Sequence, residues 1–186
     1  MAYQIEAFIG PQDSMQLLAA RFPAAQLVPL GQSLFLCPLT DALYDELNTS
    51  GSSQRIGSFS RLSQDMEIAI SQIVGDKTIG YIEADYFGGS GGQVGTTWKG
   101  GKRGRIEGPG QSCINTVLWS LGAIGVGGKD VFESVGLDRH RSTEDWLEDL
   151  PRVVAEPPTD AAAPKASRWA AIASLFAQLF RTTKTK

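Results

Sequence analysis

The sequence predicts an α+β fold, a mainly antiparallel sheet packed by several short helices. Apolar runs with partial two-residue alternation are mixed with segments of helical spacing. They follow no steady strand–helix–strand rhythm of the kind that builds a parallel sheet. In addition, Gly88-Gly89-Ser90-Gly91-Gly92 joins two strand-like runs, which predicts an antiparallel hairpin around residues 77–98. The chain has 186 residues, 42% hydrophobic and 20% charged, the balance of a soluble globular protein. Residues 1–150 are expected to form the α+β domain.

Tyr3 to Ile9 alternates in part and stops at Gly10-Pro11, so it reads as a strand. Gln12-Asp13-Ser14 offers caps for a short helix from Met15 to Phe22, with Leu17, Leu18 and Phe22 as its apolar face. Gln26 to Leu30 and Ser33 to Cys37 read as two strands about Gly31-Gln32, and Thr40 or Asp41 caps a helix through Leu47. The clearest helix runs from about Ser60 to Val74, where Leu62, Met66, Ile70, Ile73 and Val74 recur at helical spacing and Gly75-Asp76 closes it. The hairpin follows, read with a long glycine loop, and then a basic glycine-rich loop from Gly100 to Gly110. Helices are expected from Ser112 to Leu121 and from Asp130 to Leu137, and Ser142-Thr143-Glu144-Asp145 carries a capping pattern for another.

Residues 151–166, with four prolines by Pro164 and much alanine, read as a linker. Residues 167–181 read as an amphipathic helix with Trp169, Ile172, Phe176, Leu179 and Phe180 on one stripe. Such a stripe must be buried on the domain, against another copy in self-association, or on a membrane surface, and docking on protein is the better match to its charge.

Net charge is −3, unevenly placed: residues 1–150 hold 11 Lys+Arg and 18 Asp+Glu, giving −7, and residues 151–186 carry +4. An acidic body disfavours nucleic acid as a direct partner, because phosphate binding relies on Lys and Arg. It suits a basic protein partner, although charge of this kind also serves solubility alone. No run approaches the length of a membrane-spanning helix. The first residues lack the pattern of a secretory signal, and two cysteines are too few for a disulfide framework, so the expected location is the cytoplasm.

The catalytic inventory is thin. The Gly88–Gly92 cluster lacks the Gly-Lys-Ser/Thr and strand-to-helix context of a phosphate loop, and reads as a turn. Lys102, Arg103 and Arg105 form the one basic cluster of the body, read as a solvated loop. Cys113 opens a predicted helix, where the dipole would lower a thiol pKa, and His140 is the single imidazole available as its base. A Cys113–His140 hydrolase or transferase is therefore the enzymatic alternative, with a buried structural Cys113 as the plainer reading. Cys37, in an apolar strand, reads as core. Glu83 and Asp85 alternate on one strand and share a face, as an acid/base pair, a recognition patch or a solvated face. No third ligand suggests a metal site, and no cofactor motif is present.

Three segments carry a resemblance: Tyr81-Ile82-Glu83-Ala84-Asp85-Tyr86-Phe87-Gly88-Gly89-Ser90-Gly91-Gly92-Gln93, then Ile114 to Leu118, then Phe132 to Trp146 with its Gly-Leu-x-Arg-x-Arg-Ser-x-x-Asp-Trp pattern. Over roughly residues 77–148 the chain resembles a family of small bacterial proteins encoded beside polymorphic toxins, where they serve as immunity proteins. The resemblance implies a stoichiometric inhibitor, not an enzyme, whose partner is a secreted toxin, with a type VI secretion nuclease as the expected setting. An acidic body suits capture of a nuclease, whose own surface must be basic to hold DNA. Glu83 and Asp85, with Tyr86, Phe87 and Trp98 as aromatic anchors if exposed, are the candidate partner-binding residues, core packing being the plainer reading of the three aromatics. An adaptor acting through the helix at 167–181 is the remaining alternative.

Overall fold

In the computed structural model the described residues are 2–51 and 53–150. The expected linker at 151–166, the helix at 167–181 and any self-association through it lie outside the described residues. Among the described residues seven strands form one antiparallel sheet, with five α-helices on its two faces. The order is β2(Val28–Pro29), β3(Leu34–Pro38), β1(Tyr3–Pro11), β4(Thr78–Phe87), β5(Ser90–Lys99) and β6(Lys102–Arg103), with β7(Glu107–Gly110) also on β5. The α+β expectation is met.

Alternation along β1 and β4 sorts their side chains to two faces. Phe8, Ile79, Tyr81, Val94 and Trp98 pack with α1(Gln12–Arg21), α2(Asp41–Leu47) and α3(Gln64–Val74) through Met15, Leu18, Leu43, Met66 and Ile70. Ile5, Ala7, Ile9, Ile82 and Ala84 face the other way, against α4(Cys113–Ser120) and α5(Val131–Val135) through Ile114, Val117, Leu118 and Val135, with Trp146 beside them.

Several boundaries differ from the sequence reading for identifiable reasons. Helix α1 starts at Gln12 directly after Pro11, whose φ of −59° feeds the helix, so Gln12-Asp13-Ser14 lie inside it. Met15 and Leu18 are buried in its face together with the following Phe22, whereas Leu17 is 41% exposed. The first of the two predicted strands shrinks to Val28–Pro29, since proline has no N–H for a ladder. Ser33 and Gln32 take positive φ in the turn, and the second strand is Leu34–Pro38. Helix α3 begins at Gln64, not Ser60: Ser63 is its cap, accepting from the Met66 N–H at 3.2 Å.

The hairpin loop is tighter than expected. Phe87 pairs with Ser90, leaving Gly88 and Gly89 as a two-residue turn with φ of 60° and 87°. Positive φ at both central positions is the demand of a type I′ turn, which glycine meets without strain. The basic loop is ordered as well: Lys99 pairs with Lys102 around Gly100-Gly101, and β7 rejoins β5. Gly91 sits at φ 148°, where an added Cβ would lie 2.0 Å from the Asp85 carbonyl oxygen. Gly91→Ala is therefore expected to lower unfolding free energy by about 1–3 kcal/mol, measured by urea unfolding. An unchanged midpoint would contradict that backbone geometry.

The later helices follow the reading closely. The Asp130 carboxylate accepts from the Glu133 N–H at 2.8 Å to start α5, and Gly136 ends it at φ 85°. Ser142 and Asp145 cap reciprocally, Ser142 N–H to Asp145 Oδ2 at 3.1 Å and Asp145 N–H to Ser142 Oγ at 3.3 Å. The segment they open, Asp145–Asp149, is a short 3₁₀ helix instead of an α-helix. No helix among the described residues is long and apolar enough to cross a membrane.

Candidate functional site

The helices on the α1–α3 face do not reach the hairpin end of the sheet. There β1, β4 and β5 floor an open cleft of about 500 Å³, walled by residues of the 55–61 segment and by Pro109 of β7. Its floor carries Gln4 and Glu6 from β1 and Glu83 and Asp85 from β4. The register places Gln4 opposite Asp85 and Glu6 opposite Glu83.

Glu83 is 5% exposed. Its carboxylate accepts from the N–H groups of Ser60, Arg61 and Leu62 at 2.6, 2.9 and 3.1 Å, from the Ser60 hydroxyl at 2.6 Å and from the Tyr81 hydroxyl at 2.9 Å. These donors explain why the helical spacing from Ser60 does not begin a helix there: three amides point at the strand instead. Burial, and then the neighbouring Glu83 charge, push the Tyr81 hydroxyl well above its ordinary pKa. Glu83 is thus a fastener between strand and loop, which corrects its assignment as a partner-binding residue.

Glu6 is only half-buried and meets neutral donors: Gln4 Nε2 at 3.2 Å and Thr143 Oγ1 at 3.3 Å. Like charges directly opposite across strands oppose each other. Burial first, and the Glu83 charge among the lesser causes, raise the Glu6 carboxyl above its ordinary value of 4.5. The charge of nearby Arg61 offsets part of that rise, although its Nη2 is bound to Asp41 at 2.8 Å and its guanidinium lies 4.1 Å above the Tyr44 ring. A raised folded-state pKa means that Glu6 favours the fold when protonated, a contribution present below 4.5 and lost as pH rises through the folded value. Glu6→Gln is therefore expected to be more stable than the parent at neutral pH, the advantage fading as pH falls through the raised folded value and absent below 4.5. Paired thermal melts across pH check this, and greater parental stability at neutral pH would refute it.

Asp85, the neighbour on the same face, is exposed and stands in no ion pair among the described residues. Tyr86 is partly buried on the opposite face, where it packs beside Ala84 and Tyr3. Phe87, at the end of β4, is 79% exposed. Trp98 is fully buried beneath α3, and its indole N–H has no hydrogen-bond partner, so it is a core residue and not an exposed anchor. Of the five candidate partner-binding residues, Asp85 and Phe87 stay fully available, Tyr86 partly, and Glu83 and Trp98 are withdrawn.

Gln4, Glu6 and Arg61 were not singled out from sequence. The signal for the first two was present in the alternation of Tyr3 to Ile9, whose polar positions fall on one face. The other motif residues act as connectors. Gln93 Oε1 accepts from the Ile114 N–H at 3.1 Å and caps α4, and Asn115 bridges Asp130 and the Phe132 N–H at 3.1 and 3.0 Å.

Cys113 and His140 have separate surroundings. The Cys113 thiol abuts Gly108 and Gly110, while His140 stacks edge-on with Trp146 and lies 3.1 Å from Asp149. Burial, and then Glu107, push the Cys113 thiol up, opposite to the shift a nucleophile at a helix start requires. Cys37 is a core thiol pushed up to about 12 by burial. Among the described residues no group of His, Cys, Asp or Glu is gathered to hold a metal ion.

Comparison of the chain with protein-family models, with curated proteins and with solved structures gives no match.

Proposed function

We propose that this chain is a cytoplasmic immunity protein. It binds a cognate secreted antibacterial toxin, a nuclease of type VI secretion, and neutralises it by covering its active or substrate-binding site. The observation that carries this reading is the hairpin end of the sheet: an aromatic side chain, Phe87, 79% exposed at a tight turn, beside the free carboxylate of Asp85 and the cleft behind it. Exposed aromatic anchors with polar surroundings are the usual makings of a protein interface. The −7 charge of residues 1–150 would speed encounter with a basic nuclease. The resemblance of residues 77–148 points to the same activity.

The test is co-expression with each neighbouring gene whose product alone kills the host. Survival with a co-purifying one-to-one complex is expected. Death without a complex removes the reading, and survival without a complex replaces binding by another form of protection.

A further inference from the structure

A pocket of about 240 Å³ lies on the other side of the hairpin from the cleft, where the sheet meets α4 and α5. Its apolar lining is aromatic: Tyr3 and Tyr86, directly opposite each other across β1 and β4, and Phe132, edge-on to Tyr3 at 5.6 Å. These walls are fixed from behind. The Tyr3 hydroxyl donates to the Leu137 carbonyl at 3.2 Å, and the Phe132 N–H donates to the Asn115 side-chain oxygen at 3.0 Å. The polar lining is of three kinds. Gln93 spends its side-chain oxygen on the Ile114 N–H, which leaves its amide nitrogen without a partner among the described residues, and Gln111 is exposed. The Asp130 oxygens accept one hydrogen bond each, from the Glu133 N–H and from Asn115, and each keeps a second acceptor site. Arg141 is exposed and stands in no ion pair among the described residues.

We infer that this pocket binds a free nucleoside monophosphate. Rings, amides, one carboxylate and one guanidinium together match the three parts of that ligand, and no simpler ligand uses them all. The base lies against the aromatic walls, because every base has a π-face to stack. The Gln93 and Gln111 amides meet its edge, where side-chain amides pair with donors and acceptors of a base. Asp130 accepts from a ribose hydroxyl, a common task of carboxylates in nucleotide sites. Arg141 takes the phosphate, which suits a planar fork of donors. A volume of about 240 Å³ holds the base and leaves sugar and phosphate at the exposed mouth. The charge of −7 over residues 1–150 selects a single nucleotide over a strand, whose backbone needs many Lys and Arg contacts. The inference does not depend on the toxin reading.

The probes are AMP, GMP, CMP and UMP, titrated into the ¹⁵N-labelled full chain and followed by amide chemical shifts. Ribose 5-phosphate, which lacks the base, and the nucleosides, which lack the phosphate, are the controls. Saturable shifts centred on Tyr3, Tyr86, Gln93 and Asn115 are expected with at least one monophosphate. The matching nucleoside should bind more weakly at the same place, and ribose 5-phosphate should not bind there. Arg141→Gln should weaken the monophosphate roughly tenfold and leave the nucleoside unchanged, a split that a merely structural role would not produce. Tyr86→Leu, which removes a ring and keeps apolar bulk, should weaken both alike, again roughly tenfold. No shifts with any monophosphate, shifts centred elsewhere, or equal shifts with ribose 5-phosphate overturn the proposal. So does a short single-stranded oligonucleotide that binds the pocket more tightly than every monophosphate, which would make the ligand a strand. N-acetyl-tyrosine amide binding there more tightly than every monophosphate overturns it as well, in favour of an aromatic side chain of a protein partner.

Discussion

Glu83→Ala is expected to cost about 3–5 kcal/mol of unfolding free energy, the largest effect of any single truncation at the hairpin end. Five donors converge on this carboxylate, three of them backbone amides that cannot turn away without moving the 60–62 segment. Each donor left buried and unpaired costs roughly 1–3 kcal/mol, and water entering from the cleft relieves part of the sum. In a domain of this size the loss corresponds to a fall in Tm of roughly 10 °C. Glu83→Gln should lose about half as much, because one of its two polar atoms becomes a donor facing donors. Asp85→Ala, two residues along the same strand and exposed, should stay within about 0.5 kcal/mol of the parent. Urea unfolding of the three variants decides the matter. A Glu83→Ala loss below about 1 kcal/mol would mean that the segment is held by its apolar contacts, Ile56, Phe59 and Leu62, and not by the carboxylate.

The same pair of residues shows where sequence is legible. That Glu83 and Asp85 share a face follows from strand periodicity alone. That one is a buried fastener and the other free depends on the 60–62 segment folding over Glu83, some twenty residues away in the chain. Helix α5 was readable at both ends because Asp130 and Gly136 act on their own neighbours. The start of α3 was not, because the amides of Ser60, Arg61 and Leu62 are drawn to another element before a helix can claim them. Likewise Phe87 and Trp98 are both aromatics of one hairpin. The first lies at its tip and the second near its base beneath α3, a difference set by helix packing and not by local pattern. Glu6 becomes interesting only through the β1–β4 register that sets it against Glu83. Local caps, turns and alternation thus expose the architecture, while the cleft arises from pairings between distant segments.

If the chain is the immunity protein proposed above, Phe87→Ala is expected to abolish protection against the cognate toxin while leaving the fold intact. The side chain is 79% exposed and closes the turn against Ser90, so its removal should change stability by no more than about 0.5 kcal/mol. An aromatic anchor buried in a partner commonly contributes 2 kcal/mol or more, so the complex should weaken by roughly thirtyfold or more. That loss should fall on the dissociation rate, since apolar packing acts after encounter. Asp85→Arg should behave differently: reversing a free charge at the rim of the cleft slows association and reduces the dependence of the rate on salt. Binding kinetics at two ionic strengths, with urea unfolding as the control for folding, separate the two effects. If Phe87→Ala and Asp85→Arg both bind the toxin with parental rates, the interface lies on another face of the sheet. If both fail through the dissociation rate alone, Asp85 is packed within the interface and the cleft behind it is closed in the complex.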